Sequence, residues 1–271
     1  MTATAHRWLR AAIDAAQRSV AFGSRWPRPP LPRWVTPLLA LTASVAGLIA
    51  LTFAFAGPGT YEDIARANGF ERIPFLVPAS VPVERRQTVR YDVATRVGLH
   101  EQTLRSVLSA ESGPGTRAVA APRDPTTRDP LFSLDEERHL TDVRAVFAAA
   151  RLLANTSAVV SIVLLIAAWG RGTAVLAGIV RDAAGGGALG VAAIGVIATV
   201  AFEPAFLAFH YVFFPQGNFL FDPATSNLLA LYPETYWYAV TLRIGAAFTA
   251  AAAGVALVGW LLARSAIVTR R

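Results

Sequence analysis

Residues 152–170 read LLANTSAVVSIVLLIAAWG, a run of nineteen residues that contains no charged side chain. A helix needs about 20 predominantly apolar residues to cross the hydrocarbon core of a bilayer. With its flank, this run predicts a transmembrane span at 143–169, and three similar runs predict spans at 35–57, 185–211 and 237–263. The chain therefore has the pattern of a membrane protein, mainly α, built on a four-helix transmembrane bundle.

The composition of the 271-residue chain agrees with this fold class and restricts its chemistry. Hydrophobic residues make up 54% of the chain and charged residues 16%, whereas about 25% charged residues is usual for a soluble domain. The sequence contains no cysteine, which excludes disulfides, thiolate nucleophiles and cysteine-bound metals. All 25 basic residues are arginine, which excludes a catalytic lysine. Since the sequence also contains no cofactor motif, we expect neither a cofactor nor a metal.

The arginines are distributed unevenly along the chain, and their distribution predicts the orientation in the membrane. Six Arg and one Asp lie in the leader at 1–34, two Arg and one Asp in the loop at 170–184, and three Arg in the tail at 264–271. The loop at 58–142 holds eleven Arg and thirteen acidic residues, and the loop at 212–236 holds no Arg and two acidic residues. Because cytoplasmic flanks retain positive charge, we expect both termini in the cytoplasm and both of these loops outside. The distribution accounts for the net charge of +7 without a nucleic acid partner.

A competing interpretation of the first span is a cleaved signal peptide, since Ala54-Phe55-Ala56 resembles a signal-peptidase site. The basic leader is long, and the apolar run exceeds the roughly 7–15 residues of a signal core, so we expect the span to be retained. Within the leader, residues 3–22 have one apolar helical face. That face fits an interfacial helix, and a solvated tail is the alternative.

Residues 58–142, the cap segment, are too long and too charged for a simple connector. We expect them to form a small mixed α/β extracytoplasmic cap inserted between spans one and two. Residues 61–70 and 100–110 predict short helices, and residues 72–97 predict two or three short strands. Residues 112–130, rich in Gly, Pro, Thr and Asp, predict a loop. The core of such a cap is small, so it should lean on the bundle.

Two of the four histidines lie where consecutive spans meet the outer interface. His139 stands just before span two, and His210 stands near the end of span three. Since a short cytoplasmic loop makes these two helices antiparallel neighbours, we expect both imidazoles within one cavity between bundle and cap. The alternative is that each histidine only anchors its helix end at the interface. Of the other two, His6 has no motif around it, and His100 is expected to be a capping or surface residue.

Polar residues near the two histidines are candidates for supporting roles. Asp142 follows His139 by three positions and so lies on the same helix face, where it could orient the ring and hold one tautomer. Glu136 could do the same or be solvated. Asn218 and Asp222 belong to the aromatic loop between the last two spans, and we expect both to lie near the histidines.

Three charged residues are predicted inside the membrane-spanning segments. Arg151, Glu203 and Arg243 lie about two helical turns, roughly 10 Å, beneath the outer surface. Charges at such depth are costly and usually face the bundle interior in pairs. Glu203 can neutralise one arginine, so the other could bind a lipid phosphate or an ester carbonyl; a purely structural ion pair is the alternative. Span three also contains Gly186 and Gly190, a GxxxG pattern that suits close helix packing.

Two blocks of the sequence resemble a known family. The first block is Glu136-Glu137-Arg138-His139-Leu140-x-Asp142-Val143-Arg144, and the second begins with Phe209-His210-x-x-Phe213-Phe214. The second block continues with Asn218-x-x-Phe221-Asp222-Pro223 and Leu228-Leu229-x-Leu231-Tyr232-Pro233. In order, spacing and membrane position these motifs are similar to those of a bacterial family of four-span integral membrane proteins that includes the lipoprotein intramolecular transacylases.

The resemblance implies an acyltransferase of the bacterial plasma membrane with its active site on the extracytoplasmic face. The implied reaction moves the acyl chain from the second glycerol carbon of a diacylglyceryl-modified lipoprotein to the α-amine of its N-terminal cysteine, which gives the lyso form. The expected partners are that lipoprotein N-terminus and membrane lipid. The family's two essential histidines correspond to His139 and His210, which we expect to act as general acid and base. Arg243, Arg151 or Asn218 could stabilise the oxyanion.

The sequence differs from the usual family pattern at three positions. Arg144 stands where the family usually has lysine, Phe219 where it has tryptophan, and Ser226 where it has aspartate. These differences concern the substrate pocket more than the histidine pair.

Two other functions are compatible with the same residues. One is a metal-dependent membrane lipid hydrolase in which His139 and His210, with Asp142 or Asp222, hold zinc, although the sequence has no HExxH-type motif. The other is a non-enzymatic membrane scaffold whose cap binds a partner. The oligomeric state stays open.

Overall fold

The computed structural model describes residues 30–108 and 122–268. Over these residues the fold is mainly helical and includes a two-stranded sheet. The helices are α1 (Val35–Phe55), α2 (Pro58–Asn68), α3 (Val93–Leu108), α4 (Leu134–Trp169), α5 (Thr173–Val200), α6 (Phe202–Phe213), α7 (Asn227–Leu231) and α8 (Glu234–Val268), and the strands are β1 (Phe75–Val77) and β2 (Gln87–Val89). The predicted interfacial helix at 3–22 and His6 lie outside the described residues.

Four of these helices, α1, α4, α5 and α8, are long and apolar enough to cross a membrane. Their outer faces carry apolar side chains such as Val163, Leu189, Ile194 and Val258, each more than half exposed. A large apolar surface of this kind is expected where a helix bundle meets lipid rather than water. The prediction of a mainly helical membrane protein with four spans is therefore confirmed. The orientation of the termini stays a prediction.

The predicted third span, 185–211, is interrupted in the structure. Helix α5 ends at Val200, Ala201 leaves the helical region with φ −132° and ψ 46°, and α6 begins at Phe202. Pro204 explains the interruption, because it has no N–H to donate to the carbonyl of Val200 and its ring would clash with that carbonyl. The last part of the predicted span, residues 202–211, therefore belongs to the separate short helix α6.

The connection between α4 and α5 is shorter than the predicted loop at 170–184. Helix α5 already begins at Thr173, so residues 170–172 alone form the turn. Gly172 has φ +112°, a conformation that favours glycine. A turn this short makes α4 and α5 antiparallel neighbours, so the start of α4 and the end of α5 lie at the same end of the bundle.

Between α1 and α4 the chain forms α2, the two strands and α3. β1 and β2 pair in an antiparallel manner, with Phe75 opposite Val89. Residues 134–142, which we assigned to the cap segment, instead form the first turns of α4. Most of the predicted loop at 112–130 lies outside the described residues, which resume at residue 122. That this segment forms an extracytoplasmic cap stays a prediction.

The main hydrophobic core joins the cap segment to the aromatic loop and to the start of α8. Its buried members include Tyr61, Phe75 and Leu99 from the cap segment, together with Leu231 from α7 and Tyr236 from α8. The Tyr61 hydroxyl donates a hydrogen bond to the carbonyl of Leu231 at 2.9 Å. The cap segment therefore packs against other parts of the chain instead of forming a core of its own.

His100 lies inside this core, whereas the sequence predicted a capping or surface residue. The residue is 2% exposed. Its Nε2 lies 3.0 Å from the carbonyl oxygen of Ala56, and its Nδ1 lies 2.9 Å from the hydroxyl of Tyr232. Since a carbonyl only accepts, Nε2 carries the proton, and in the neutral ring Nδ1 accepts from Tyr232. Burial lowers the pKa of His100 below its ordinary value, so the neutral ring ties the end of α1 to the residue after α7.

Close helix packing in the bundle involves Gly187 rather than the predicted GxxxG pair. A Cβ at Gly187 would lie 2.7 Å from the Oγ of Ser44 in α1, a distance that requires a shift of one of the helices or side chains. A Cβ at Gly186 or Gly190 would meet no described atom within 4 Å. The two predicted glycines therefore lie on an open face of α5.

We expect Gly187→Leu to lower the thermal stability of the protein in detergent, because overpacking a tight interface typically costs about 1–3 kcal/mol. The matched control is Gly190→Leu, which makes the same change in the same helix at an open position. The measurement is the fraction of monodisperse protein on size-exclusion chromatography after heating. If heating lowers the monodisperse fraction equally in the two variants, the packing assigned to Gly187 is wrong.

The neutral state of buried His100 predicts that stability falls in acid. Its pKa is lower in the folded than in the unfolded chain, so protonation favours unfolding once the pH falls below about 6.5. We expect the melting temperature to fall between pH 7.5 and pH 5, and to fall less in His100→Gln, since glutamine can donate to Ala56 and accept from Tyr232 without titrating. If the melting temperatures of the two proteins fall equally between pH 7.5 and pH 5, His100 is not a source of the acid sensitivity.

Candidate active site

The start of α4 is fixed by its own sequence. Ser133 caps the helix: its Oγ accepts from the backbone N–H of Glu136 at 3.4 Å, and the Glu136 carboxylate accepts from the backbone N–H of Ser133 at 2.7 Å. This capping box, with acidic residues in the first turn, favours a helix that begins here. Residues 136, 139 and 142 then follow at intervals of three and point to one side of α4.

His139 and His210 come together although seventy positions separate them in the sequence. Their ring centroids are 6.1 Å apart, and the rings are inclined by 21°. His139 is 6% exposed, and His210 is half-buried. The two imidazoles therefore lie close together, as expected, and their role in catalysis stays a prediction.

Aromatic rings surround the two imidazoles. Phe214 lies 4.7 Å from the His139 ring and 5.5 Å from the His210 ring, measured between centroids. Phe206 lies 4.3 Å and Phe219 5.1 Å from His210. The two imidazoles therefore lie within a cluster of phenylalanine side chains.

The hydrogen bonding of His210 defines its tautomer. Its Nδ1 lies 2.8 Å from the carbonyl oxygen of Phe206, one turn earlier in α6. Because the carbonyl only accepts, Nδ1 carries the proton, and in the neutral ring the lone pair is on Nε2. His210 is therefore held by its own helix with Nε2 able to accept a proton.

Asp142 does not orient the His139 ring, which is the role we predicted for it. Its Oδ2 instead accepts hydrogen bonds from Gln216 Nε2 at 2.8 Å and from Asn218 Nδ2 at 2.5 Å. No sequence pattern indicated a role for Gln216, since a glutamine after proline in a loop has no signature of its own. Asn218 does lie near the histidines, as expected: its side chain interacts with His139, and its amide nitrogen donates to Asp142.

Glu136 holds the aromatic loop against the start of α4. Its carboxylate is buried and accepts from Ser226 Oγ at 2.6 Å and from the backbone N–H of Leu228 at 2.8 Å, besides the bond to Ser133. We predicted that Glu136 orients a histidine or is solvated; it does neither, because backbone donors of the loop and of the helix cap converge on it. Ser226, which stands where the family usually has aspartate, takes part in this contact as a donor to the carboxylate.

The side chain of Asp222 stabilises a turn of the aromatic loop, and its expected place near the histidines stays a prediction. It is exposed, and its Oδ1 accepts from the backbone N–H of Ala224 at 2.9 Å, two residues along. Aspartate commonly stabilises turns in this way. Among the described residues, no group of three His, Cys, Asp or Glu side chains lies close enough to hold a metal ion. The zinc arrangement with Asp142 or Asp222 as third ligand therefore has no counterpart in the described part of the chain.

The predicted ion pair inside the membrane is also absent from the described residues. Their ion pairs do not include Glu203, which is exposed in the first turn of α6. The guanidinium of Arg151 lies over the Phe53 ring at 5.3 Å, and Arg243 Nη1 lies 3.5 Å from the carbonyl of Thr60. The prediction assumed one continuous third span, and the break after α5 changes the direction in which Glu203 points.

Comparison with known proteins supports the family resemblance. The family model described as lipoprotein intramolecular transacylase Lit matches residues 114–237, which include both histidines. A solved structure of the membrane integral lipoprotein intramolecular transacylase Lit from Bacillus cereus is similar, with a TM-score of 0.58 and 13% identity over 88% of this chain and 97% of that chain. A structure of a point variant of that protein gives a TM-score of 0.60 and 14% identity over 88% and 93%. The predicted resemblance is thus confirmed, and the fold is shared.

No protein of curated function matches this chain significantly. At 13% and 14% identity, the solved structures establish the fold and not the reaction.

We expect Glu136→Gln to destabilise the protein by about 2–3 kcal/mol, the loss of hydrogen bonds to a charged acceptor. Both carboxylate oxygens accept from backbone N–H groups, so either orientation of the glutamine amide sets its NH2 against a donor. The matched control is Glu137→Gln, the same change at the next, half-buried position. Thermal unfolding in detergent measures the difference, and similar melting temperatures for both variants would contradict the role assigned to Glu136.

Proposed function

We propose that this chain, which resembles the lipoprotein intramolecular transacylases in sequence and in fold, is itself such a transacylase. It would move the acyl chain from the second glycerol carbon of a diacylglyceryl-cysteine to the α-amine of the same cysteine. The observation that carries the proposal is the pair of imidazoles, His139 and His210, with centroids 6.1 Å apart in an aromatic pocket. The reaction needs a base and an acid but no enzyme nucleophile, which agrees with a chain that has neither cysteine nor lysine.

His210 is the better candidate for the base. Its Nδ1–H donates to the carbonyl of Phe206, which leaves the Nε2 lone pair to take a proton from the α-ammonium of the substrate. The carbonyl thereby fixes the orientation and tautomer of the ring, as an orienting group does in other histidine-based sites.

His139 is then the candidate acid. The deprotonated amine attacks the ester carbonyl carbon, a carbon–nitrogen bond forms, and a tetrahedral oxyanion results. When the intermediate collapses, the bond between the acyl carbon and the glyceryl oxygen breaks, and that oxygen takes a proton from protonated His139. The nitrogen gives its second proton to His210, which has passed the ammonium proton to solvent. Starting from the neutral amine, the reaction consumes and releases no net proton, so the two rings can exchange the proton between them.

Proximity accounts for much of the rate in this proposal. The amine and the ester belong to one substrate, and holding them at a reactive distance can contribute several kcal/mol. The phenylalanine rings around the histidines exclude water from the pocket, which favours transfer to the amine over hydrolysis of the ester. We further propose that the pocket opens to the extracytoplasmic side of a bacterial plasma membrane, in keeping with the positions of the arginines.

The direct test is expression in a bacterial host that makes diacylated lipoproteins and lacks its own N-acylating enzymes. Because the transfer is intramolecular, the N-terminal lipopeptide keeps its mass, and tandem mass spectrometry shows an N-acyl, S-monoacylglyceryl fragment pattern. A lipid hydrolase would instead remove the mass of one acyl chain, and a scaffold would leave both mass and fragments unchanged. Either of these results, with normal membrane insertion, would contradict the proposal.

In the same host, we expect His139→Gln and His210→Gln each to lower conversion at least about 100-fold, since general acid–base catalysis typically contributes about 10²–10⁴-fold. The control is His6→Ala, which removes a histidine outside both motifs. Each variant is quantified by immunoblot of the membrane fraction, so that loss of activity is separated from loss of protein. Full conversion by both glutamine variants would exclude the histidine mechanism.

A further inference from the structure

The lipid-facing side of α4 carries a regular stripe of exposed side chains. Eight exposed residues recur at alternating intervals of three and four, and we call them the α4 stripe: Ala145, Ala148, Leu152, Asn155, Val159, Ile162, Ile166 and Trp169. This alternation is the spacing with which two helices pack along their length in a left-handed supercoil. The apolar members suit lipid as well as a second helix, so it is the polar member that indicates a partner.

Asn155 is that polar member. It lies close to the middle of the predicted span at 143–169, where a bilayer contains no water. Its carboxamide is exposed, and no hydrogen bond between the described residues involves it. By contrast, the hydroxyls of Thr156 and Ser161 donate to carbonyls of their own helix, each at 2.9 Å. An exposed amide at this depth would be unpaired in hydrocarbon, which is costly unless another helix supplies a partner.

We propose that the α4 stripe is the contact surface for a second copy of this chain and that the two Asn155 carboxamides pair across the contact. Copies inserted in one membrane share their orientation, so their α4 helices run parallel and both carboxamides lie at the same depth. A carboxamide has both donors and an acceptor, so two of them can bond reciprocally about a twofold axis, the commonest symmetry of protein pairs. Acyl chains offer neither donor nor acceptor at this depth.

This contact leaves the candidate active site open. Asn155 follows His139 by sixteen positions, which places the two side chains roughly 160° apart around α4. Helix α1 packs on another side of α4, where Ser161 Oγ lies 2.8 Å from Thr42 Oγ1. The two sites of the pair therefore face away from each other, and the pairing does not depend on the proposed transacylase reaction.

The absence of cysteine allows disulfide cross-linking between copies in native membranes. Leu152→Cys places a thiol on the α4 stripe, and Leu153→Cys places one at the next residue, about 100° away around the helix. Leu152 and Leu153 are 69% and 53% exposed, so both thiols face lipid. After oxidation with copper phenanthroline, we expect several-fold more linked dimer on non-reducing gels for Leu152→Cys. Equal yields for the two variants would indicate random collisions and would overturn the proposal.

The role of Asn155 is tested on the full-length chain labelled at a single cysteine, Arg85→Cys, at an exposed position of the cap segment. Energy transfer between donor-labelled and acceptor-labelled copies is measured in vesicles of phosphatidylethanolamine and phosphatidylglycerol. A series of protein-to-lipid ratios gives the association constant. We expect Asn155→Leu to lower this constant about tenfold, as polar pairs between membrane helices typically provide. Asn155→Gln, which keeps a carboxamide, should retain most of the association.

The matched control is Thr156→Val, which removes a hydroxyl whose hydrogen bond lies within its own helix. We expect this variant to keep the association constant of the wild type. A wild-type chain that stays monomeric at every ratio, or an Asn155→Leu variant that associates as well as the wild type, would contradict the proposal. Equal losses in Asn155→Leu and Thr156→Val would also contradict it, because the carboxamide would then have no specific part in the contact.

Discussion

Two carboxylates on one face of α4 hold the aromatic loop, and the geometry of the site depends on them. Glu136 binds the loop near the start of α7, and Asp142 binds it just after α6. His139 lies between the two carboxylates on the same face, and the loop segment between the two anchors passes over its ring. Since the loop is the continuation of α6, the anchoring also determines how the last turn of α6, with His210, approaches His139. Hydrogen bonds to charged acceptors are strong enough for this role in an otherwise apolar pocket.

Much of this arrangement could be predicted from the sequence, because membrane topology restricts the possible folds so strongly. Apolar runs define the spans, and the short connection after α4 makes it antiparallel to α5. From these two facts alone, His139 and His210 are expected at one end of the bundle. The same argument needs no knowledge of side-chain contacts, since a backbone inside lipid has to satisfy its hydrogen bonds within helices.

The features that the sequence did not predict depend on the local backbone path and on individual hydrogen bonds. Pro204 ends helix α5 at Val200, eleven residues before the predicted end of the third span at 211. The break changes the direction of Glu203, so that the expected ion pair does not form among the described residues. Asp142 was assigned to the ring three positions away by helix periodicity, whereas its partners come from a loop whose path no periodicity describes. Asp222 was expected to support the histidines, and in the structure its Oδ1 accepts from a backbone N–H two residues along. For Asp142 and Asp222, nearby amide or backbone N–H groups bind the polar side chain.

We propose above all that the two imidazoles share one site on the extracytoplasmic side of the membrane. The absence of cysteine makes a direct test possible: cysteines at positions 139 and 210 can be joined by a short, membrane-impermeant bifunctional thiol reagent added to intact cells. After proteolysis between the two positions, the account predicts that the fragments remain linked in the double variant and separate in each single variant. Fragments that separate in the double variant, or that become linked only after the membrane is permeabilised, would contradict it.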